Sequence, residues 1–421
     1  MAVRCARLVI PALALLAGAL TVASAMANRA RGAIPASGVR ARAADAQQCP
    51  ERFSAVRDRA NPLALPRSPG RNPLSGARFF VPGPAHGYAA AAIAHLVGLV
   101  PTGMPYKESW PSFRRQLVRG PLLARVASAG ASHEIAELSK VAAEPEVQRL
   151  SIYSEGGGPG AVFAQAEKVF CHNLSADRDS IPIINTDFLH AQLGGCPTPA
   201  QVSAYTPTFR RQIDEVAAAT DRRPAVFLLE LDAIGSSACI NRVGSMGLWE
   251  ADLRYEINRI RALPHTVVYV EGGYSDANSP RYTARILNAV GVRRIRGFYT
   301  NDTHQNWTIR EIRWAQRVSR LTHGAHFIVD TADNGRGPLR RAHRPGATND
   351  HCNPPGRGLG PKDTTHTGFR HADAFLWTHP PGNSSGCGGG PPGGVFWPAR
   401  AIALADRANQ QLGPDSPSRP Y

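Results

Sequence analysis

The stretch Ala225–Ile240, AVFLLELDAIGSSACI, is strand-like and apolar yet carries two carboxylates, Glu230 and Asp232, two residues apart. In an extended strand, side chains at i and i+2 leave on one face, so both acids are expected on one side with Phe227, Leu229 and Leu231 on the other. Two like charges against apolar walls raise the pKa of one acid, which then stays protonated near neutral pH and can deliver a proton. The competing reading is that the pair only satisfies two of the chain's many arginines, because structural ion-pair networks perturb carboxylates as well.

The elements that must position these acids follow from the pattern around them. Apolar, β-rich runs recur at 77–81, 149–153, 181–186, 225–232, 266–271, 294–300, 325–330 and 373–378, and most are separated by segments of helical apolar spacing such as YTPTFRRQIDEVAAAT. That alternation predicts a parallel α/β architecture. Strand after strand ends in polar groups: Ser154-Glu155, Thr186-Asp187, Glu230 with Asp232, Glu271, Thr300-Asn301, Asp330-Thr331 and Thr378-His379. In a β/α barrel the C-terminal strand ends converge on one face, so a single-domain, TIM-like but distorted barrel is predicted. An open sheet would gather its chemistry at a switch point, and SEGGGPG lacks the spacing and the lysine of a phosphate loop.

Residues 1–27 read as an export signal: Arg4 and Arg7, the apolar run LVIPALALLAGALTVASAMA, and small residues at Ala23-Ser24-Ala25 and Ala25-Met26-Ala27. An uncleaved anchor is the alternative. Residues 28–47 read as a flexible leader, 48–412 as one domain and 413–421 as a disordered tail. The expected product is secreted, free of the membrane after cleavage, and monomeric. Beyond Cys5 of the signal, Cys49, Cys171, Cys196, Cys239, Cys352 and Cys387 make an even set for an oxidising compartment. No spacing is C-x-x-C, so no metal and no cofactor is expected. The net charge of +16 rests on 44 arginines against 4 lysines. Those arginines are scattered rather than striped, which argues against nucleic acid and leaves acidic glycans or a cell surface as further partners.

From residue 72 onward the blocks resemble, in order, those of glycoside hydrolase family 6, the 1,4-β-glucan hydrolases. NPLSG is similar to that family's N-P-F-x-G, LLELDAI to I-E-P-D-S-L, and YVEGGYSDAN to Y-L-D-A-G-H. RGFYTNDTHQNW is similar to R-G-F-A-T-N-V-A-N-Y, and FIVDTADNGRGP to F-I-x-D-T-G-R-N-G. The segment from His351 to Gly386 resembles W-C-N-x-x-G-x-G-x-G, T-N-T-G, D-x-F-x-W and K-P-G-E-S-D-G. The resemblance implies an inverting hydrolase of β-1,4-glucan with Asp232 as proton donor. It also marks departures: Ser385 stands where the family places an aspartate that is its candidate base, Asn383 where it has a glutamate, and His379 where it has a lysine. No acid precedes Cys196, leaving Asp187 and Glu271 as the other candidate catalytic carboxylates. Either one of these activates water through a relay, or the cleft binds glycan without cleaving it.

A sugar ring has an apolar face and a polar rim, so aromatic platforms interleaved with amides are expected around it. Phe80, Tyr274, Asn301, His304, Asn306, Trp307 and Trp377 fall at or after predicted strand ends, while His351 replaces the tryptophan of W-C-N. Trp377 is expected to be half core. Asn301, Asn306 and Asn383 lie in N-x-S/T sequons but are read as sugar-facing amides. The resemblance also implies disulfides Cys196–Cys239 and Cys352–Cys387, which leaves Cys49 with Cys171.

Overall fold

The computed structural model describes residues 71–152, 158–339 and 352–416, within a compact unit running from Ala43 to Tyr421. The signal, the leader, Cys49, His351 and the Ser154-Glu155 pair lie outside the described residues.

Seven strands, β1 (Gln148–Ser151), β2 (Ile183–Asp187), β3 (Ala225–Leu229), β4 (Thr266–Glu271), β5 (Gly297–Thr300), β6 (His326–Asp330) and β7 (Ala372–Leu376), pair in sequence order and all in parallel. Parallel strands are covered on both faces and therefore read as unbroken apolar runs, which is why AVFLL and TVVYV form them. One face carries Phe227, Leu229, Val268, Val270, Phe298, Phe327 and Phe375 into a core shared with the crossover helices. The other carries Ile183, Val226, Leu228, Val267, Tyr269, Tyr299, Ile328 and Leu376 into a second core. Since β2 and β7 meet in that inner cluster although they stand at opposite ends of the order, the sheet is curled into a half-barrel.

The expected eighth strand is a correction. Of the run 77–81, only Phe79 pairs, in a single parallel bridge to Ile181. Pro82 follows with no N–H for a ladder, and at Gly83 an added Cβ would sit 1.7 Å from the Glu108 carbonyl oxygen, so the chain turns away there. A satellite core packs α1 (Tyr88–Leu96), α2 (Trp110–Arg119), α3 (Leu123–Ser128) and α4 (Ser132–Ala142) with the late helix Pro398–Ala405, and Trp377 is buried in it. Leu412 is buried, and its carbonyl accepts from Ile309 N at 2.8 Å. The expected tail begins as a turn closed by Ser416 N on Gly413 O.

The crossover helix Pro199–Thr220 opens on a capping box in which Thr198 Oγ1 accepts from Gln201 N and Gln201 Oε1 accepts from Thr198 N. The crossover helix Met246–Ile260 sets Glu256 against the sheet, where Thr186 Oγ1 donates to its Oε1 at 2.7 Å. Burial pushes the Glu256 carboxyl up to about 8, and burial together with the Glu256 charge holds Glu230 well above its ordinary range. A carboxyl with a raised folded-state pKa keeps its proton while the unfolded chain has already released it. Its stabilising effect is therefore present in acid and is lost as pH rises from about 4.5 to about 8. Thermal or urea unfolding is expected to show falling stability across that window, by up to roughly 1.4 kcal/mol per pH unit per group. Glu256→Gln is expected to flatten the slope, and an unchanged slope would count against the buried neutral acid.

Candidate active site

The two acids that open the argument do not share a strand face. β3 ends at Leu229, and both Glu230 (φ +50°) and Asp232 (φ +58°) adopt the left-handed conformation that non-glycine residues rarely take. The turn sends them apart. Glu230 is fully buried, and its carboxylate accepts from Leu189 N at 2.8 Å and Phe188 N at 3.2 Å, holding the chain that follows β2. Asp232 keeps 21% of its side chain exposed and lines a cleft of about 810 Å³. Its pKa is raised, chiefly by burial of the carboxyl; the charge of Asp302 adds to the rise, while His190, His304 and the Thr303 hydroxyl oppose it. The perturbation comes from these neighbours rather than from Glu230 across a strand face.

Thr303 Oγ1 donates to Asp232 Oδ1 at 3.2 Å, and His190 Nδ1 lies 3.9 Å from Oδ2. Thr303 is itself left-handed (φ +65°), unusual for a β-branched residue, so the loop after β5 is strained where it meets the acid. In that loop the His304 ring stacks on Tyr274 at 3.7 Å, and its Nδ1 sits 3.0 Å from Asp276 Oδ1. Gly235 permits this wall, since a Cβ there would sit 2.3 Å from the Tyr274 ring.

Asp187, Tyr274, His304, His379, Asn383 and Ser385 join Asp232 in lining the cleft. Asp187 Oδ2 lies 3.8 Å from Arg149 Nη1, and burial raises its pKa against the pull of that guanidinium. His379 Nδ1 sits 3.0 Å from Asp330 Oδ2 and 3.2 Å from Asp302 Oδ1. Burial lowers the imidazole pKa, but the two carboxylates outweigh it and hold it well above the ordinary value, so His379 supplies a cation where the resembled family has lysine. Ser385 N donates to Asn353 Oδ1 at 2.9 Å.

Other expected site residues are placed elsewhere. Glu271 is fully buried, and its carboxylate accepts from the backbone N–H groups of Ile234, Gly235 and Gly273. Asn301 is also fully buried and bonds Asn306 O and Asp330 O. Asn306 Nδ2 donates to Asp276 Oδ1 at 2.6 Å. The Trp307 ring packs on Gly337, Phe80 packs edge-on to His172 at 5.1 Å, and the Trp377 indole donates to Pro361 O at 3.1 Å. These are framework, because a strand-end residue can point into the core as readily as into the cleft. Cys196–Cys239 and Cys352–Cys387 are bonded. Cys171 is disulfide-bonded as well, while Cys49 lies outside the described residues.

The sequence reading missed several cleft residues. Tyr88 and Phe396 stack at 5.7 Å and 11° and offer an aromatic wall, yet lie far apart in sequence and away from the strand ends. Asp302 and Asp333 were open to detection: they stand where the family blocks quoted above have valine and arginine.

A curled parallel half-barrel with carboxylates and aromatic side chains around a cleft at its strand ends defines a glycosidase-like architecture. The sequence model of glycosyl hydrolases family 6 matches residues 191–408, and the chain belongs to that family. Endoglucanase A of Thermobispora bispora is 30% identical over 274 residues, covering 64% of this chain and 56% of that protein. Endoglucanase 1 of Streptomyces sp. (strain KSM-9) is 33% identical over 221 residues, covering 50% and 55%. The chain thus spans little more than half the length of these curated relatives. The endoglucanase Cel6 of Mycobacterium tuberculosis, solved with methyl-cellobiosyl-4-deoxy-4-thio-β-D-cellobioside, is similar at 29% identity and a TM-score of 0.62 over 80% of this chain and 99% of that one. Endoglucanase CEL6B of Humicola insolens, at 18% identity, shares the fold with a TM-score of 0.58 over 80% of this chain and 99% of its own.

Burial and the charge of Asp232 push Glu271 up to about 8, although three backbone donors oppose the rise. Those donors belong to the turns that carry Asp232 and Tyr274. In Glu271→Gln an amide NH2 must face an N–H, so the variant is expected to lose about 1–3 kcal/mol in urea unfolding at acidic pH. Wild-type stability in that variant would show that the carboxyl does not hold the turns.

Proposed function

We propose that this protein is an exported hydrolase of β-1,4-linked glucan that inverts the anomeric centre, with Asp232 as proton donor. The observation that carries the reading is the placement of Asp232: a carboxyl with a raised pKa, partly open to a cleft of about 810 Å³ whose walls include stacked rings. A protonated acid at that point can hand its proton to the leaving glycosidic oxygen as the C–O bond breaks. Tyr274 with His304, and Tyr88 with Phe396, present faces on which pyranose C–H groups can lie, and His379, Asn383 and Ser385 serve the hydroxyl rim. His351 is proposed to border the same subsites. Asp187, beyond the neighbouring strand end, acts on Asp232 by its charge. Glu271 supports the turn after Asp232 from behind.

Membership of family 6 and the cello-oligosaccharide analogue bound by the Mycobacterium tuberculosis relative support a β-glucan substrate. The signal-like residues 1–27 and the disulfides support secretion, and no helix among the described residues is long and apolar enough to cross a membrane. The proposed working form is a monomer that needs no cofactor. A second reading, a glycan-binding protein without turnover, is favoured by Ser385 in place of the family's aspartate.

Asp232→Asn is expected to cut reducing-sugar release from soluble β-glucan by about 10²- to 10⁴-fold, the usual contribution of a general acid, while leaving cello-oligosaccharide affinity nearly unchanged. Wild-type kcat/KM is expected to fall as pH rises through the raised Asp232 pKa, because only the protonated form donates. Turnover at the wild-type rate by the variant would remove Asp232 from the role. Binding without release by the wild-type protein would replace hydrolysis with the second reading.

A further inference from the structure

An inverting reaction needs a second carboxylate on the far side of the sugar from the acid, and position 385 carries a hydroxyl. We infer that Asp333 is that carboxylate, the general base that takes a proton from the attacking water; the inference rests on the hydrolase reading above.

Four observations converge on it. Asp333 is 3% exposed and lines the same cleft as Asp232. Its Oδ2 accepts from Gln305 Nε2 at 3.0 Å and from Arg400 Nη2 at 3.2 Å, so its position is fixed and its charge is balanced. Its Oδ1 has no hydrogen-bond partner. A carboxylate anchored through one oxygen with the other left over is the arrangement in which a water can be bound and deprotonated. Finally, Asp333 lies on the opposite flank from the acid. Asp232 follows the end of β3 by three residues, and Asp333 follows the end of β6 by three. Strands β3 and β6 stand three positions apart in the sheet, about 14 Å if it were flat and less across the curl.

The loop after β5 sets the scale between the two acids. Thr303 holds Asp232 and Gln305 holds Asp333, and that backbone step spans at most about 7 Å. An inverting pair is separated by roughly 6.5–9.5 Å to admit the water. Asp187 follows β2, the immediate neighbour of β3, and so stands on the acid's own flank. Glu271 spends its oxygens on backbone donors.

The step balances without any further reagent. Water loses a proton to Asp333 Oδ1 as its oxygen bonds to the anomeric carbon; the bond from that carbon to the leaving oxygen breaks, and the leaving oxygen takes the proton of Asp232. The free enzyme is restored when Asp333 returns a proton to solvent and Asp232 regains one.

The test compares two substrates, soluble β-glucan and 2,4-dinitrophenyl β-cellobioside, whose leaving group needs no proton. Asp333→Asn is expected to lower kcat by about 10²- to 10⁴-fold on both, with cello-oligosaccharide affinity retained, whereas Asp232→Asn loses turnover on the glucan alone. Azide added to Asp333→Ala is expected to restore dinitrophenolate release and to yield the α-glycosyl azide. Should either variant fail to fold, Asp333→Glu keeps the charge against Arg400 while displacing the reactive oxygen, and a loss of at least about tenfold in kcat is expected. Wild-type turnover in Asp333→Asn or Asp333→Glu, with the loss appearing in Asp187→Asn instead, overturns the assignment and leaves glucan hydrolysis standing. Absence of any cleavage by the wild-type protein removes both.

Discussion

The structure depends on how the chain leaves strand β3. Had the strand continued past Leu229, Glu230 and Asp232 would have emerged side by side, two charges competing for one environment. The left-handed turn divides them: Glu230 goes inward and ties down Phe188 and Leu189, and Asp232 goes outward into the cleft. Two non-glycine residues at positive φ are a local cost, and the buried hydrogen bonds of Glu230 and Glu271 on either side over-determine the conformation. The acid is therefore positioned by carboxylates that themselves never meet the sugar.

A consequence is that buried charge in this fold acts as scaffolding. Glu230 with Glu256, Glu271, Asp330 and His379 all sit behind the cleft, each with a raised pKa. They fix strand-end turns by accepting from backbone N–H groups or by closing ion pairs, which shorter loops of ordinary polar residues could not do in so dry an environment. The cleft inherits its electrostatics from this layer. Asp302 is one example: it raises the pKa of Asp232 and pairs with His379, and it is not among the residues that line the opening.

The departures at 379, 383 and 385 acquire a pattern once the neighbours are seen. Where the family's segments place lysine and aspartate, this chain has His379 and Ser385; where they place valine and arginine, it has Asp302 and Asp333. His379 with Asp302 and Arg400 with Asp333 are ion pairs in the structure, at 3.2 Å each. Charge has been redistributed around the cleft rather than deleted, which is the physical setting in which a carboxylate at 333 can take over work from position 385.

The sequence by itself determined the parallel α/β class, the strand positions to within a few residues, the cleft at the strand ends and the importance of Asp232. These are legible because apolar periodicity and the polar ends of buried strands are local properties of the chain. The outcome of the run 77–81, cut short at Pro82 to a single bridge, was already less legible. What only the tertiary structure decided was orientation: Glu271, Asn301, Asn306 and Trp377 face the framework, whereas Asp333, Arg400, Tyr88 and Phe396 face the cleft. Past a strand end the two-residue alternation lapses, and one left-handed residue redirects every side chain after it. Direction there is set by long-range partners, such as Gln305 and Arg400 for Asp333 or Phe396 for Tyr88, which no local pattern in the sequence brings together.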